Sequence, residues 1–179
     1  MTLVELLVAS AISTIVIIAV MLLAYHSARS FAALANYVDL DIKSRTTLDT
    51  MSSEIRQASE LTTATATSLT FTGTNVVSLR TYTLGYTYDP NALTLTRTYS
   101  EPPAATQTKV MLTQCTLFRF DLFQRNPIIG TYDQFPVDSL SRPDLCKLVR
   151  LTWICSRSIL GRTANTESVQ SAKVVIRKG

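Results

Sequence analysis

The first 24 residues form an apolar run in which hydrophobic side chains occupy nearly every position. Between Leu3 and Ala24 there is no Lys, Arg, Gly or Pro, and Glu5 is the single charged residue. A helix over these residues is about 33 Å long at about 1.5 Å per residue, which is enough to cross a bilayer core. The pattern predicts a membrane-spanning helix over residues 1–24.

The apolar run continues into an amphipathic stretch, residues 25–60. Apolar residues recur there at steps of three and four, while charged residues mostly occupy the other faces. No Gly or Pro interrupts residues 1–60, so the pattern predicts one helix of about 55 to 60 residues. We expect its second half to pack an apolar stripe under a sheet. The predicted stripe contains Phe31, Leu34, Val38, Leu48, Met51, Ile55 and Ala58.

After Leu61 the chain changes to Thr-rich alternation with turn residues between the runs, which is typical of an antiparallel sheet. The Asp89-Pro90-Asn91 turn predicts a hairpin between its flanking runs. Segment 101–108 is predicted as a loop and 124–145 as a longer loop, our best candidate for a variable surface contact. The predicted class is α+β, with a sheet domain over residues 61–179. Strands are predicted at 68–73, 76–90, 92–100, 109–123, 146–155 and 168–178.

The composition gives little support for an enzyme. His26 is the only histidine and lies just after the apolar run, so a nucleophile in the sheet domain has no histidine base. CxxC, CxxCH, HExxH and Gly-rich nucleotide motifs do not occur. We therefore predict no enzyme activity and no cofactor.

Metal binding is also not favoured. Four aspartates surround the long loop, but they lack the dense alternation of acids in a calcium loop, so solvated acids are the preferred interpretation. These residues are Asp121, Asp133, Asp138 and Asp144.

A secretory signal peptide is the obvious alternative for the apolar run, but it needs a basic region before the run and a small-residue cleavage site after it. The first basic residue is Arg29, beyond the run. We therefore expect that a basic leader has been removed and that Met1 is a processed end.

The stretch Met1-Thr2-Leu3-Val4-Glu5-Leu6-Leu7-Val8-Ala9 resembles the mature N-terminus of type IV pilins and type II secretion pseudopilins. Met1, Thr14 and Leu22 stand where relatives commonly carry Phe, Gly and Pro. The resemblance implies cleavage before Met1 by a prepilin peptidase, N-methylation of Met1, and a filament built through the N-terminal helix by an inner-membrane assembly platform. Thr2, Leu3 and Glu5 are the implied assembly residues.

Glu5 has two interpretations that are compatible with each other. With Thr2 it fits the capping box, in which a hydroxyl and a carboxylate satisfy amides at a helix start. An ionised acid in an apolar region is costly without a partner, and the resemblance implies that this partner is the N-terminal amine of a neighbouring subunit. We favour assembly over capping alone.

The resemblance implies a subunit of a pilus-like filament, with identical or homologous pilins as partners. It would lie in the inner membrane before assembly and then in an extracellular pilus or a periplasmic pseudopilus. YTYDP, LTRTYS and the later strands resemble J-type minor pseudopilins and W-type minor pilins, so a minor tip subunit that primes a pseudopilus is the alternative to a shaft subunit. A simple signal-anchored envelope protein is a further class.

DNA binding, as in minor pilins of uptake pili, is a less favoured alternative. The formal charge of +4 is mild, and basic residues are scattered rather than clustered. No aromatic and basic interleaving typical of single-strand binders occurs. The basic residues of the sheet domain that we considered are Arg80, Arg97, Arg119, Arg125, Arg142, Arg150, Arg157, Arg162, Lys173, Arg177 and Lys178.

Three cysteines allow one intrachain disulfide. Cys146 and Cys155 lie about 30 Å apart if they share one strand, so Cys115 belongs to any pair. Hairpin geometry favours Cys155 as its partner. Side-chain alternation argues against that pair, because it places Cys115 on the face opposite to Cys155. We favour Cys115 with Cys155 and keep Cys146 as the alternative.

Overall fold

A 55-residue helix, α1 (Leu3–Gln57), precedes two antiparallel sheets in the computed structural model. The structure describes residues 2–124, 128, 135–137, 142–157 and 167–176. The predicted α+β class is confirmed. The chain extends at Ala58, whose N–H donates to the Glu54 carbonyl at 3.0 Å and closes the last turn of α1.

The second half of α1 packs on the sheets through one stripe. Its buried residues recur at steps of three and four, as a single helical face requires. Phe31, Leu34 and Val38 were expected to extend this stripe, but they are exposed. The packed stripe therefore begins further along the helix, and it consists of Leu40, Ser44, Thr47, Met51 and Ile55.

Two small polar residues, Ser44 and Thr47, lie in the middle of this stripe. The Trp153 indole Nε1–H donates to Ser44 Oγ at 3.3 Å, and the Thr47 hydroxyl donates to the Met111 carbonyl at 3.3 Å. Buried polar groups need such partners. Ser44 thus joins α1 to Trp153 and Thr47 joins it to Met111, so the two side chains contact different parts of the sheet domain.

The first sheet is a five-stranded meander in which each strand pairs with the next along the chain. The predicted hairpin around Asp89 is confirmed, because Asp89 Oδ1 accepts from the amides of Asn91 and Ala92 at 2.8 and 3.2 Å. The strands are β1 (Glu60–Ala64), β2 (Ser68–Thr74), β3 (Thr81–Asp89), β4 (Thr94–Ser100) and β5 (Gln107–Leu112).

The second sheet has the order β7-β6-β8-β9, and β7 contributes only two residues. A single 3₁₀ turn, η1 (Pro143–Leu145), leads directly into β8. The strands are β6 (Cys115–Gln124), β7 (Phe135–Pro136), β8 (Cys146–Ser156) and β9 (Glu167–Val175).

Several predicted strand boundaries were wrong. The run 109–123 is not one strand, because the chain leaves β5 and enters β6 of the other sheet through Gln114, whose φ is 57°. Residues 76–80 form a turn before β3. Strands β1 and β7 were not predicted, and the end of the run 168–178 lies partly outside the described residues.

The core lies where α1 crosses the two sheets. Trp153, Tyr86 and Phe71 are its largest fully buried side chains. Phe118 stacks on Trp153 with ring centroids 5.6 Å apart, and on Tyr88 at 5.7 Å. These rings connect β3, β6 and β8, so both sheets share one core with α1.

Candidate functional site

Every described residue in the first half of α1 is exposed. An 18-residue window within the helix is apolar enough to cross a membrane, and none of it is buried in the molecule. The large apolar side chains between Leu3 and Leu23 are 52–77% exposed. Apolar surface of this extent needs a cover of lipid or protein.

Thr2 and Glu5 form a capping box at the start of this exposed half. Glu5 Oε2 accepts from the Thr2 amide at 2.7 Å, and Thr2 Oγ1 accepts from the Glu5 amide at 3.4 Å. Because a carboxylate has four acceptor positions, Glu5 keeps capacity for a further donor. Leu3 lies beside this pair and is 77% exposed. Met1 lies outside the described residues.

Apolar exposure continues beyond the predicted membrane span. From Leu3 to Ile42 the helix rises about 60 Å, roughly twice the thickness of a bilayer core of about 30 Å. Tyr25 and His26, with ring centroids 5.9 Å apart, lie where the apolar run ends. The exposed apolar residues after this point are Phe31, Leu34, Tyr37, Val38 and Ile42.

One ion pair fixes α1 to each sheet. Asp39 lies 2.8 Å from the Arg157 guanidinium at the end of β8. Glu54 receives hydrogen bonds at 2.6 and 2.9 Å from Arg97 on β4, which also raise the pKa of Arg97. Tyr86 donates its hydroxyl to the same carboxylate, and burial raises the pKa of this tyrosine. Charged contacts thus hold the helix at two points of its second half.

Cys115 and Cys155 are joined by a disulfide, the pair that hairpin geometry favoured. The two residues are direct cross-strand partners, and a bulge follows Cys115 in β6. The bulge turns Cys115 to the buried face, so the objection from alternation does not apply. Cys146 is also buried, with its thiol 3.5 Å from the Leu148 carbonyl.

Two of the four aspartates considered as calcium ligands lie within the described residues, and both form ion pairs with arginines. Asp121 pairs with Arg119 at 2.6 Å and with Arg150 at 3.0 Å, and Asp144 pairs with Arg142 at 3.2 Å. Asp133 and Asp138 lie outside the described residues. Within the described ranges no group of three metal-ligating side chains occurs.

Many basic residues considered for DNA binding are also paired. Arg97, Arg119, Arg142, Arg150 and Arg157 each contact a carboxylate, which reduces the charge that they can offer to phosphate. Arg80 and Lys173 are exposed. Arg125, Arg162, Arg177 and Lys178 lie outside the described residues.

The contacts that orient α1 were not predicted from the sequence. Ser44 and Thr47 continue the spacing of Leu40 and Met51, but as polar residues they were not counted in the stripe. Glu54 and Arg97 are 43 positions apart, and no local pattern joins them. A helical stripe that includes small polar residues predicts that Ser44 and Thr47 are buried.

No protein-family model matches the chain, and no curated protein matches its sequence. A long apolar N-terminal helix packed on an antiparallel sheet is compatible with a pilin-like fold. The helix can anchor the protein in a membrane by its length and composition.

Proposed function

We propose that this protein is a structural subunit of a type IV pilus-like filament and polymerises through the exposed half of α1. The observation that carries the proposal is the length of exposed apolar helix, which a bilayer covers only in part. Lipid can cover Leu3–Ala24 before assembly. The apolar residues from Phe31 to Ile42 lie beyond that span, and helices of neighbouring subunits would cover them.

Glu5 is the proposed site of subunit pairing. An ionised carboxylate in the apolar region costs about 2.5–3.5 kcal/mol on insertion scales, which favours a cationic partner. The N-terminal amine of a neighbouring subunit would supply that partner, at the acceptor positions that the capping box leaves open. Thr2 and Leu3 would lie in the same contact.

The resemblance of residues 1–9 to mature pilins supports the remaining steps of the proposal. A prepilin peptidase would expose and methylate the amine of Met1, and an inner-membrane platform would extract the subunit from the bilayer. The protein would then be found in an extracellular pilus or a periplasmic pseudopilus.

The test compares Glu5→Gln with Glu5→Leu in cells that make filaments. Gln at position 5 can still accept the Thr2 amide and cap the helix, but it carries no charge. If charge pairing drives assembly, both variants remain in the membrane fraction and neither appears in filaments imaged by electron microscopy. Filaments of normal length from Glu5→Gln would contradict the proposal.

Ser13→Leu is the matched control, because it replaces a polar side chain of the same span that bonds the Ala9 carbonyl of its own helix. We expect this variant to form filaments. Mass spectrometry of the N-terminal peptide tests methylation of Met1. Immunogold labelling along the filament identifies a shaft subunit, and labelling at one end identifies a minor tip subunit.

A further inference from the structure

The turn between β2 and β3 carries the most exposed apolar side chains in the described part of the sheet domain. Val76, Val77 and Leu79 are 88%, 94% and 79% exposed, and we call these three residues the apical turn. Hydrogen bonds order the turn, because Asn75 Oδ1 accepts from the Val77 amide at 2.9 Å and the Leu79 amide donates to the Asn75 carbonyl at 2.8 Å. A cluster of apolar groups held in water in this way indicates a contact surface.

A second apolar group lies on the outer face of the second sheet. Leu117 on β6 pairs with Ile154 on β8, which pairs with Val169 on β9, so their side chains form one row across the strands. We call these three residues the basal row. Leu117 and Val169 are 44% and 62% exposed, and Ile154 between them is half-buried. After the apical turn, Val169 is the most exposed large apolar residue in the described part of the sheet domain.

The two groups lie at different levels along α1. The apical turn is level with the last turn of the helix, because both line one cleft. The basal row is level with an earlier part, because the chain on either side of Ile154 contacts Ser44 and Asp39. Gln57 lies 13 positions after Ser44, and Glu54 lies 15 positions after Asp39, which corresponds to about 20–22 Å at about 1.5 Å per residue. A single copy therefore cannot cover one group with the other.

We propose that the apical turn of one copy packs on the basal row of a second copy further along the filament. This contact rests on the proposed function, because it requires parallel copies displaced along α1. A contact between two different surfaces at opposite ends of a domain does not close on itself. It repeats from copy to copy and builds an open polymer, as a filament requires.

The distance between the two groups fits the proposed pairing at Glu5. If the N-terminal amine of one copy lies beside Glu5 of the next, neighbouring helices are displaced by four positions, or about 6 Å. The separation of about 20–22 Å then corresponds to three or four such steps. The apical turn thus reaches a copy three or four steps away and not the immediate neighbour.

Charge does not oppose the contact between these surfaces. Glu101 beside the apical turn is offset by the nearby Arg80. Arg119, next to the basal row on the same face of β6, pairs with Asp121 at 2.6 Å. The apolar side chains can therefore be covered without burying an unpaired charge.

The small size of both surfaces determines when the contact forms. Three side chains are far fewer than the roughly 20–30 residues that each partner contributes to a stable protein interface. The contact therefore does not hold two dispersed copies together. Helices that already align the copies raise the effective concentration of one surface near the other, so we expect the contact in filaments only.

Cysteine cross-linking in isolated filaments tests the contact. The chain carries Val77→Cys and Val169→Cys in a Cys146→Ala background, so that only the Cys115–Cys155 disulfide remains of the native cysteines. We expect a short bismaleimide to join the subunits of filaments into a ladder of covalent multimers. The same chain dispersed in detergent should remain monomeric.

Val110 supplies the matched control, because it is 51% exposed on β5 and belongs to neither group. Val77→Cys with Val110→Cys should give no ladder. In a second measurement, Val77→Asp and Val169→Asp should each lower the temperature at which filaments dissociate by several degrees, whereas Val110→Asp should not. All three positions are exposed, so these changes leave the core intact.

Three results would overturn the contact and leave the filament proposal standing. They are filaments of the double cysteine variant without cross-links, a ladder of equal intensity from the Val110 control, and dimers from Val77→Cys alone, which would identify a symmetric contact between two apical turns. Filaments of Val77→Asp that are as heat-stable as those of the unmodified chain would likewise contradict the contact. The absence of filaments from the unmodified chain would overturn both proposals.

Discussion

At the scale of single residues, the contact between Glu54 and Arg97 is the strongest charged link between α1 and the first sheet. The Glu54 and Arg97 side chains are only 22% and 16% exposed. Breaking such a pair leaves a poorly solvated charge beside the Tyr86 hydroxyl. We expect Arg97→Met to lower the free energy of unfolding by about 1–3 kcal/mol, allowing for partial solvation.

Denaturant unfolding of the full chain in detergent measures this loss. Arg45→Met is the control, because its side chain is 74% exposed and its pair with Asp41 is worth about 0.5 kcal/mol or less. Equal losses in the two variants would show that the Glu54 contact does not stabilise the fold.

A second prediction at this scale concerns the protonation of Glu101. Hydrogen bonds from Ser78, Tyr99 and Asn75 lower the pKa of this carboxyl to about 2 from its ordinary 4.5. A lowered pKa means that folding favours the ionised form, so this stabilisation is complete above pH 4.5 and is lost as the pH falls towards 2.

The protection of the Val77 amide from hydrogen exchange, measured relative to the intrinsic exchange rate at each pH, should therefore be retained at pH 4.5 and fall as the pH approaches 2. Glu101→Gln should lower this protection at pH 4.5 and make it independent of pH in that range. A carboxyl titration of Glu101 by NMR with a midpoint near 4.5 would contradict the prediction.

Short-range spacing decided which residue contacts were predictable. Thr2 and Glu5 are three positions apart, so the capping box followed from the sequence. Ser44 and Trp153 are 109 positions apart, and their contact depends on how α1 crosses the second sheet. Tertiary packing of this kind leaves no local pattern in a single sequence.

At the scale of elements, the disulfide fixes β6 against β8. Cys115 and Cys155 are 40 positions apart, and closing such a loop stabilises the folded state by about 4 kcal/mol in the chain-entropy account. We expect the double variant Cys115→Ser, Cys155→Ser to have a free energy of unfolding that is lower by about this amount. Thermal unfolding under non-reducing conditions measures it.

Non-reducing peptide mapping tests the pairing itself. Cys146→Ala should retain the link between the peptides that contain Cys115 and Cys155. A link between Cys115 and Cys146 in the unmodified chain would contradict the structure.

Periodicity predicted most of the elements but not their interruptions. Alternation identified strands around residues 68–74 and 146–156, where the pattern is regular. It missed the change of sheet at Gln114 and the bulge after Cys115. A single residue with positive φ or an extra residue in a strand alters the path of the chain without changing its hydrophobic composition.

At the scale of the whole molecule, the exposed half of α1 is separate from the folded domain. No residue between Leu3 and Val38 is buried. We therefore expect deletion of residues 1–30 to leave the thermal midpoint of the sheet domain within about 2 °C of that of the full chain. Calorimetry of both proteins in the same detergent at low concentration makes the comparison. A fall of more than about 5 °C would show that the first half supports the fold.

The unbroken backbone of α1 has a mechanical consequence. Its 55 residues contain neither Gly nor Pro, so every turn has its backbone N–H donors and none contains the residues that most often break a helix. Under tension such a rod transmits force from one end to the other with little change in length. In the proposed filament, elongation would then come mainly from sliding between subunits, which would make the fibre stiff.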